Sequence, residues 1–145
     1  MYKHLLITTD GSEVAQKGID HGLALAKALG AAVTIVTVTE PFPVYAMGSS
    51  YVPLEFADYD NVQKEFAVKV LGAAQEAAEA AGVSVTTLHV PNSQPADTII
   101  ETATSRGCDL VVMASHGRRG LGRLMLGSQT SEVLAHAKLP VLVVR

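Results

Sequence analysis

The sequence predicts an α/β fold: an open five-stranded parallel sheet with helices on both faces. Three observations predict it. Short apolar runs rich in Val, Ile and Thr alternate with helical patterns along the 145 residues. The runs are nearly continuous in apolar character rather than alternating, as strands covered on both faces should be. Turn and cap residues punctuate the boundaries between them.

The first run, HLLITTD (4–10), closes at Asp10-Gly11, and Ser12 stands where it would cap the next helix. That helix carries Val14, Ile19, Leu23, Leu25 and Leu29 and stops at Gly30. AVTIVTVTE (32–40) is the second strand. Residues 41–60, PFPVYAMGSSYVPLEFADYD, read as a connection long enough to be mobile or a lid. An alanine-rich helix over about 58–81 ends at Gly82, and VSVTTLHV (83–90) follows as the third strand. Pro95 opens the third helix, which runs to Arg106-Gly107. CDLVVMA (108–114) is the fourth strand, SQTSEVLAHA (128–137) the last helix, and VLVVR (141–145) the fifth strand, opened by Pro140. With no repeat or composition break, residues 1–145 are read as one domain. Sheets of this kind bind ligands beyond the carboxyl ends of their strands, where strand order reverses. Thr8-Thr9-Asp10 and the 114–128 segment would meet there if the first and fourth strands flank that point.

Apolar residues make up 48% and charged residues 17%, a composition that folds rather than stays disordered. No apolar run approaches the roughly 20 residues of a membrane span. MYKHLLITTDGSE lacks the layout of a signal peptide, so a cytoplasmic protein with no membrane partner is expected. A net charge of −3 argues against general nucleic-acid binding. The lone Cys108 fits a reducing compartment and is expected to be a small core residue. Met113 and Met125 are expected in the core or at an interface. His4, His21, His89 and His136 show no metal-ligand spacing.

The segment LVVMASHGRRGLGRLMLGSQTSE (110–132) carries the chemistry. Arg118, Arg119 and Arg123 concentrate positive charge among glycines, which points to a specific anion. Glycines let backbone approach a ligand, and a helix start at Gly127-Ser128 would present N–H groups and a partial positive charge. The Ser128 and Thr130 hydroxyls could donate to phosphate or ligate Mg²⁺. The dinucleotide fingerprint G-x-G-x-x-G is absent after the first strand, where TTDGSE stands. A P-loop is excluded by the missing lysine between Gly127 and Ser128 and by the apolar RLML before them. A Ser128/His116 pair lacks a third, orienting group, so no catalytic set is legible. Asp10 reads either as a turn residue or as a site residue at a strand's carboxyl end.

Nine residues separate Gly117 from Gly127-Ser128, and Ala114 stands three before Gly117. This resembles the G-x2-G-x9-G-[S/T] nucleotide motif of the universal stress protein family. The resemblance covers the chain, from HLLITTDGSEVAQKGIDHGLALAKALGAAVTIVTV through Pro95-Ala96 to CDLVVMASHGRRGLGRLMLGSQTSEVLAHAKLPVLVVR. It implies an adenine nucleotide alpha hydrolase-like sheet of order 3-2-1-4-5, a homodimer paired through strand 140–145, and ATP at the sheet's C-terminal edge. Residue by residue, it implies Thr8, Thr9 and Asp10 near the adenosine, with Asp10 reaching ribose or the phosphate–metal group. Val38 would meet adenine through its backbone. Ala114, Ser115, His116, Gly117, Arg118, Arg119 and Gly120 would wrap ribose and phosphates. Gly127, Ser128, Gln129 and Thr130 would hold the phosphates. Two positions depart from the pattern. Ala114 replaces the first motif glycine, and its methyl would weaken binding, with strain of order 1 kcal/mol if its φ is positive. In VPNSQP no glycine stands two before Pro95.

Three functions remain open on this reading. The first is an ATP-binding regulatory protein of the stress response, with little or no turnover, possessing a protein partner the sequence does not name. The second is a slow ATPase, or a protein that phosphorylates itself on Ser128 or Thr130. The third is a dimeric interaction module with a non-binding pocket.

Overall fold

The computed structural model describes residues 1–42, 52–117 and 125–145, with side chains described outside 52–57. Nine elements alternate in chain order: β1 (His4–Thr8), α1 (Glu13–Leu29), β2 (Ala32–Val38), α2 (Val52–Ala81), β3 (Val85–Val90), α3 (Pro95–Ser105), β4 (Leu110–Ala114), α4 (Ser128–His136) and β5 (Val141–Val144). The strands form one sheet of order β3-β2-β1-β4-β5, and every neighbouring pair is parallel. The chain thus winds outward from β1 to β3, then crosses to β4 and winds the other way. The reversal lies between β1 and β4, in register Leu5↔Leu110 to Ile7↔Val112.

The central strands are covered on both faces, which is why their sequences are almost continuously apolar. Leu5, Ile7, Val33, Ile35 and Val112 pack against Ile19, Leu23 and Ala26 of α1 and Ala74 and Ala78 of α2. The alternate residues Leu6, Val36, Val111 and Met113 pack against Ala96, Ile99 and Ala103 of α3 and Val133 of α4. The period-two alternation of a strand divides these two cores residue by residue.

Local chemistry explains the boundaries. Ser12 Oγ accepts the Ala15 N–H at 3.1 Å and caps α1. Gly30 ends α1 in the left-handed conformation (φ 64°), as a helix-terminating glycine should. Asp109 staples the sheet's lower edge, its carboxylate accepting the N–H groups of Lys3 at 2.8 Å and His4 at 3.1 Å. Burial opposes ionisation of Asp109, but these two donors, with its own N–H and nearby His4, hold its pKa below the ordinary carboxylate value.

Several expectations need correction. The second helix begins at Val52, not near 58, so residues 52–60 are helical rather than part of a long connection. Pro53 read as a loop residue, yet in a first helical turn its missing N–H has no intrahelical bond to lose. Residues 43–51, the remainder of the expected lid, lie outside the described residues. Strands β1 and β2 end at Thr8 and Val38, two residues short of the expected ends. Met113 is in the core at 4% exposure, as expected, whereas Met125 is 68% exposed and so is not a core residue. Cys108 is buried in the core as expected, and desolvation pushes its thiol pKa up to about 11, against an ordinary 9.0. Among the described residues, no helix is long and apolar enough to cross a membrane.

Candidate functional site

The carboxyl ends of β1, β2 and β4 open into a cavity of about 640 Å³, within the range of small-ligand sites. It lies at the reversal of strand order, where the topology leaves a crevice between helices wound to opposite faces. Thr8, Thr9 and Asp10 line it from the end of β1, and Val38 from the end of β2. Ala114, His116 and Gly117 line it from β4, and Gly127, Ser128, Gln129 and Thr130 from the start of α4. The fold therefore brings residues separated by over one hundred positions into one wall.

Several of these are held by identifiable bonds. Thr9 is 6% exposed, and its Oγ1 accepts the Gly11 N–H at 3.2 Å. Asp10 Oδ1 accepts the Ser12 N–H at 3.0 Å, a tight turn that Gly11 allows with φ 80°. Ser115 is buried and stands outside the cavity lining, and its Oγ hydrogen-bonds His116 Nδ1 at 3.1 Å. Its carbonyl accepts the Gly127 N–H at 2.8 Å, bringing the start of α4 back onto the end of β4. Arg118, Arg119, Gly120 and Arg123 lie outside the described residues.

The two motif glycines sit where side chains have no room. A Cβ on Gly127 would stand 3.0 Å from His116 Cα and 3.5 Å from the Ser115 carbonyl oxygen. A Cβ on Gly117 would press against Asp10 Oδ2. The spacing of these glycines thus reflects backbone crossing backbone and carboxylate at the cavity floor.

The positive φ that would strain Ala114 is not present. It is the last residue of β4, and Asn92 is the non-glycine residue with positive φ among those described, at 51°. Asn92 also supplies the turn before α3, beside Ser93, whose N–H reaches the Thr39 carbonyl at 3.1 Å. The left-handed position falls on asparagine, which tolerates it. The methyl of Ala114 remains against the cavity, 8% exposed.

Two side chains expected to face an anion are otherwise engaged. Thr130 is 3% exposed and its hydroxyl donates to the Ala114 carbonyl at 2.9 Å. Gln129 Oε1 accepts the Ala96 N–H at 3.1 Å, capping α3, whose own Gln94 makes no side-chain cap. At α4 the N-cap is Gly127, again with no side-chain cap, so the first N–H groups of that helix face the cavity end uncapped by side chains.

Sequence reading missed the wall supplied by α2 and α3. Tyr59, Gln63 and Phe66 line the cavity at helical spacing from α2, and Pro95 and Ile99 from α3. The Tyr59 hydroxyl donates to the Glu40 carbonyl at 2.9 Å and its ring meets Phe42 edge to face at 5.2 Å. The i, i+4, i+7 spacing of these residues was the available signal and lies within the helix expected over about 58–81, but no local rule says which face of that helix meets the strand ends.

The chain is a doubly wound parallel α/β domain with a cavity at its switch point. The chain belongs to the universal stress protein family, whose family model matches residues 1–145. It is 35% identical over 149 residues to universal stress protein YxiE of Bacillus subtilis, covering all of both chains. It is 34% identical to a universal stress protein of Thermus aquaticus, again over all of both chains. Among solved structures it superposes on UspA from Lactobacillus plantarum with a TM-score of 0.87 at 22% identity, over 99% of this chain and 98% of that one. A universal stress protein solved in complex with cAMP matches with a TM-score of 0.70 at 26% identity, over 99% of this chain and 97% of that one.

Proposed function

We propose that this protein is a cytoplasmic, ATP-binding regulator of the stress response that acts as a homodimer with little or no turnover. One observation carries the binding reading. The cavity floor is built from two glycines, Gly117 and Gly127, at points where a side chain would meet Asp10 or the His116 backbone. These contacts hold the start of α4 against the end of β4, and a helix start left uncapped by side chains at a cavity is the arrangement that suits a phosphate. The relative solved with cAMP supports an adenine nucleotide in the same kind of fold.

In this reading Thr8, Thr9, Asp10 and Val38 contact the nucleoside. Ala114, His116, Gly117, Arg118, Arg119 and Gly120 wrap ribose and phosphates, with the buried Ser115 supporting them from behind through its bond to His116. Gly127, Ser128, Gln129 and Thr130 offer backbone N–H groups at the α4 start, and Mg²⁺ binds through the phosphates. Because the Thr130 hydroxyl is buried and donates to Ala114, Ser128 is the better candidate for any self-phosphorylation. The dimer reading rests on β5, an edge strand with Leu142 37% exposed.

Calorimetric titration with ATP and Mg²⁺, alongside AMP and cAMP, tests the reading, followed by assay for ADP and labelled protein. Heat on ATP addition without ADP or label is expected. No heat at millimolar ATP would leave an interaction module with a non-binding pocket. ADP or label on Ser128 would replace the regulator with a slow enzyme.

A further inference from the structure

We infer that Gln129 is a specificity-determining residue whose carboxamide N–H reads a ring-nitrogen acceptor of the bound base. The inference rests on the nucleotide reading above and assigns the Gln129 side chain to the base rather than to the phosphates. A backbone N–H can only donate, so the Gln129 atom facing Ala96 N at 3.1 Å is the carbonyl oxygen. That contact fixes the amide orientation, and the Nε2 donors must point to the other side of the group. Gln129 lines the cavity, and among the described residues nothing accepts from its Nε2. The Ala96 bond also holds the side chain against α3, so little rotamer freedom is left to lose on binding.

The neighbouring wall says what lies within reach. Val36, Val38, Pro95, Ile99 and Met113 give the cavity an apolar side between the ends of β2 and β4 and the start of α3. A flat, weakly polar base suits that side better than a phosphate does. Gln129 reaches this wall because its oxygen is bonded next to Pro95. With the oxygen engaged, Gln129 offers donors alone. It therefore cannot form the two-point amide contact that reads an amino group and a ring nitrogen together. It selects for an acceptor at the base edge.

Gln129→Glu separates this role from the helix cap. A carboxylate still accepts the Ala96 N–H but has no donor for the base. Adenosine, which carries no charge, is the probe, so repulsion of phosphate does not enter. Wild-type protein and Q129E are titrated with adenosine and with 1-, 3- and 7-deazaadenosine, and thermal midpoints are recorded. We expect Q129E to keep its midpoint and to bind adenosine about tenfold more weakly, ~1.4 kcal/mol. One deaza analogue should bind wild type weakly and lose nothing further in Q129E. Equal adenosine affinity in the two proteins would overturn the inference. So would wild-type binding of all three analogues as tightly as adenosine, a measurement that needs no variant. Binding of ATP without measurable adenosine binding would overturn it too, while binding of neither would instead remove the nucleotide reading itself.

Discussion

At Gly127 a single hydrogen atom keeps the start of α4 against the end of β4. A valine there would drive its Cβ into His116, at 3.0 Å from the Cα, and push the α4 N–H groups off the cavity floor. Gly127→Val should therefore lower ATP affinity at least about tenfold, ~1.4 kcal/mol, with far-UV circular dichroism unchanged. Undiminished affinity in calorimetry would refute the phosphate position proposed above. Asp109 gives a second, pH-dependent prediction. Its folded pKa is depressed, so it stabilises the protein fully above the ordinary aspartate value of about 3.9 and loses that contribution as pH falls through its lower folded value. Asp109→Asn should be less stable than wild type in urea at neutral pH, and the gap should narrow as pH falls below about 4. A gap that stays constant with pH would mean the carboxylate charge contributes nothing.

Elements meet closely where small residues let them. Two glycines on α1, one turn apart, face the sheet at different clearances. A Cβ on Gly18 would lie 3.5 Å from Ala114 N and 3.8 Å from Met113 C, ordinary contact distances. A Cβ on Gly22 would lie 2.5 Å from Ile7 Cδ1 and 2.9 Å from Ile7 Cγ1, inside the core. Gly18→Ala should thus stabilise the protein by about 0.5–1 kcal/mol through helix propensity. Gly22→Ala should destabilise it by about 1–3 kcal/mol because overpacking outweighs the same propensity gain. Chemical denaturation of both variants checks the pair, and a shared sign would contradict the packing of α1 described here. The residue pattern of α1 is similar at both positions, so only the distance to Ile7 distinguishes them.

For the whole molecule, the proposed association falls on β5, at the edge of the sheet. An apolar edge strand with Leu142 exposed invites pairing, and a two-fold axis would cover it with a second copy. Leu142→Asp should shift the proposed dimer to monomer in sedimentation velocity while the cavity still binds ATP. A wild-type monomer, or a variant that remains dimeric, would remove the β5 interface. Much of the fold was legible in advance. Continuous Val/Ile/Thr runs, Ser12 and Gly30 as caps and Pro95 at a helix start follow from local steric and hydrogen-bonding rules, and those rules act within a few residues. The candidate site was legible where a motif has a spacing, from Gly117 to Gly127, and at the polar ends of β1 and β4.

Other parts of the site were not legible, since no local rule governs them. Tyr59, Gln63 and Phe66 lie within the helix expected over about 58–81, yet they join the cavity only because the fold lays that face of α2 along it. Gln129 caps α3 rather than turning wholly to a ligand, and Thr130 bonds the end of β4, because α3 and α4 start side by side. Ala114 sits without positive φ since β4 simply continues through it. The sequence by itself determined the alternation of elements, the two-sided burial of the strands and the family to which the chain belongs, all short-range or pattern properties. Only the tertiary structure decided which side chains face the cavity and which are bound elsewhere, because a hydrogen-bonding group answers to whatever partner the fold brings within about 3 Å.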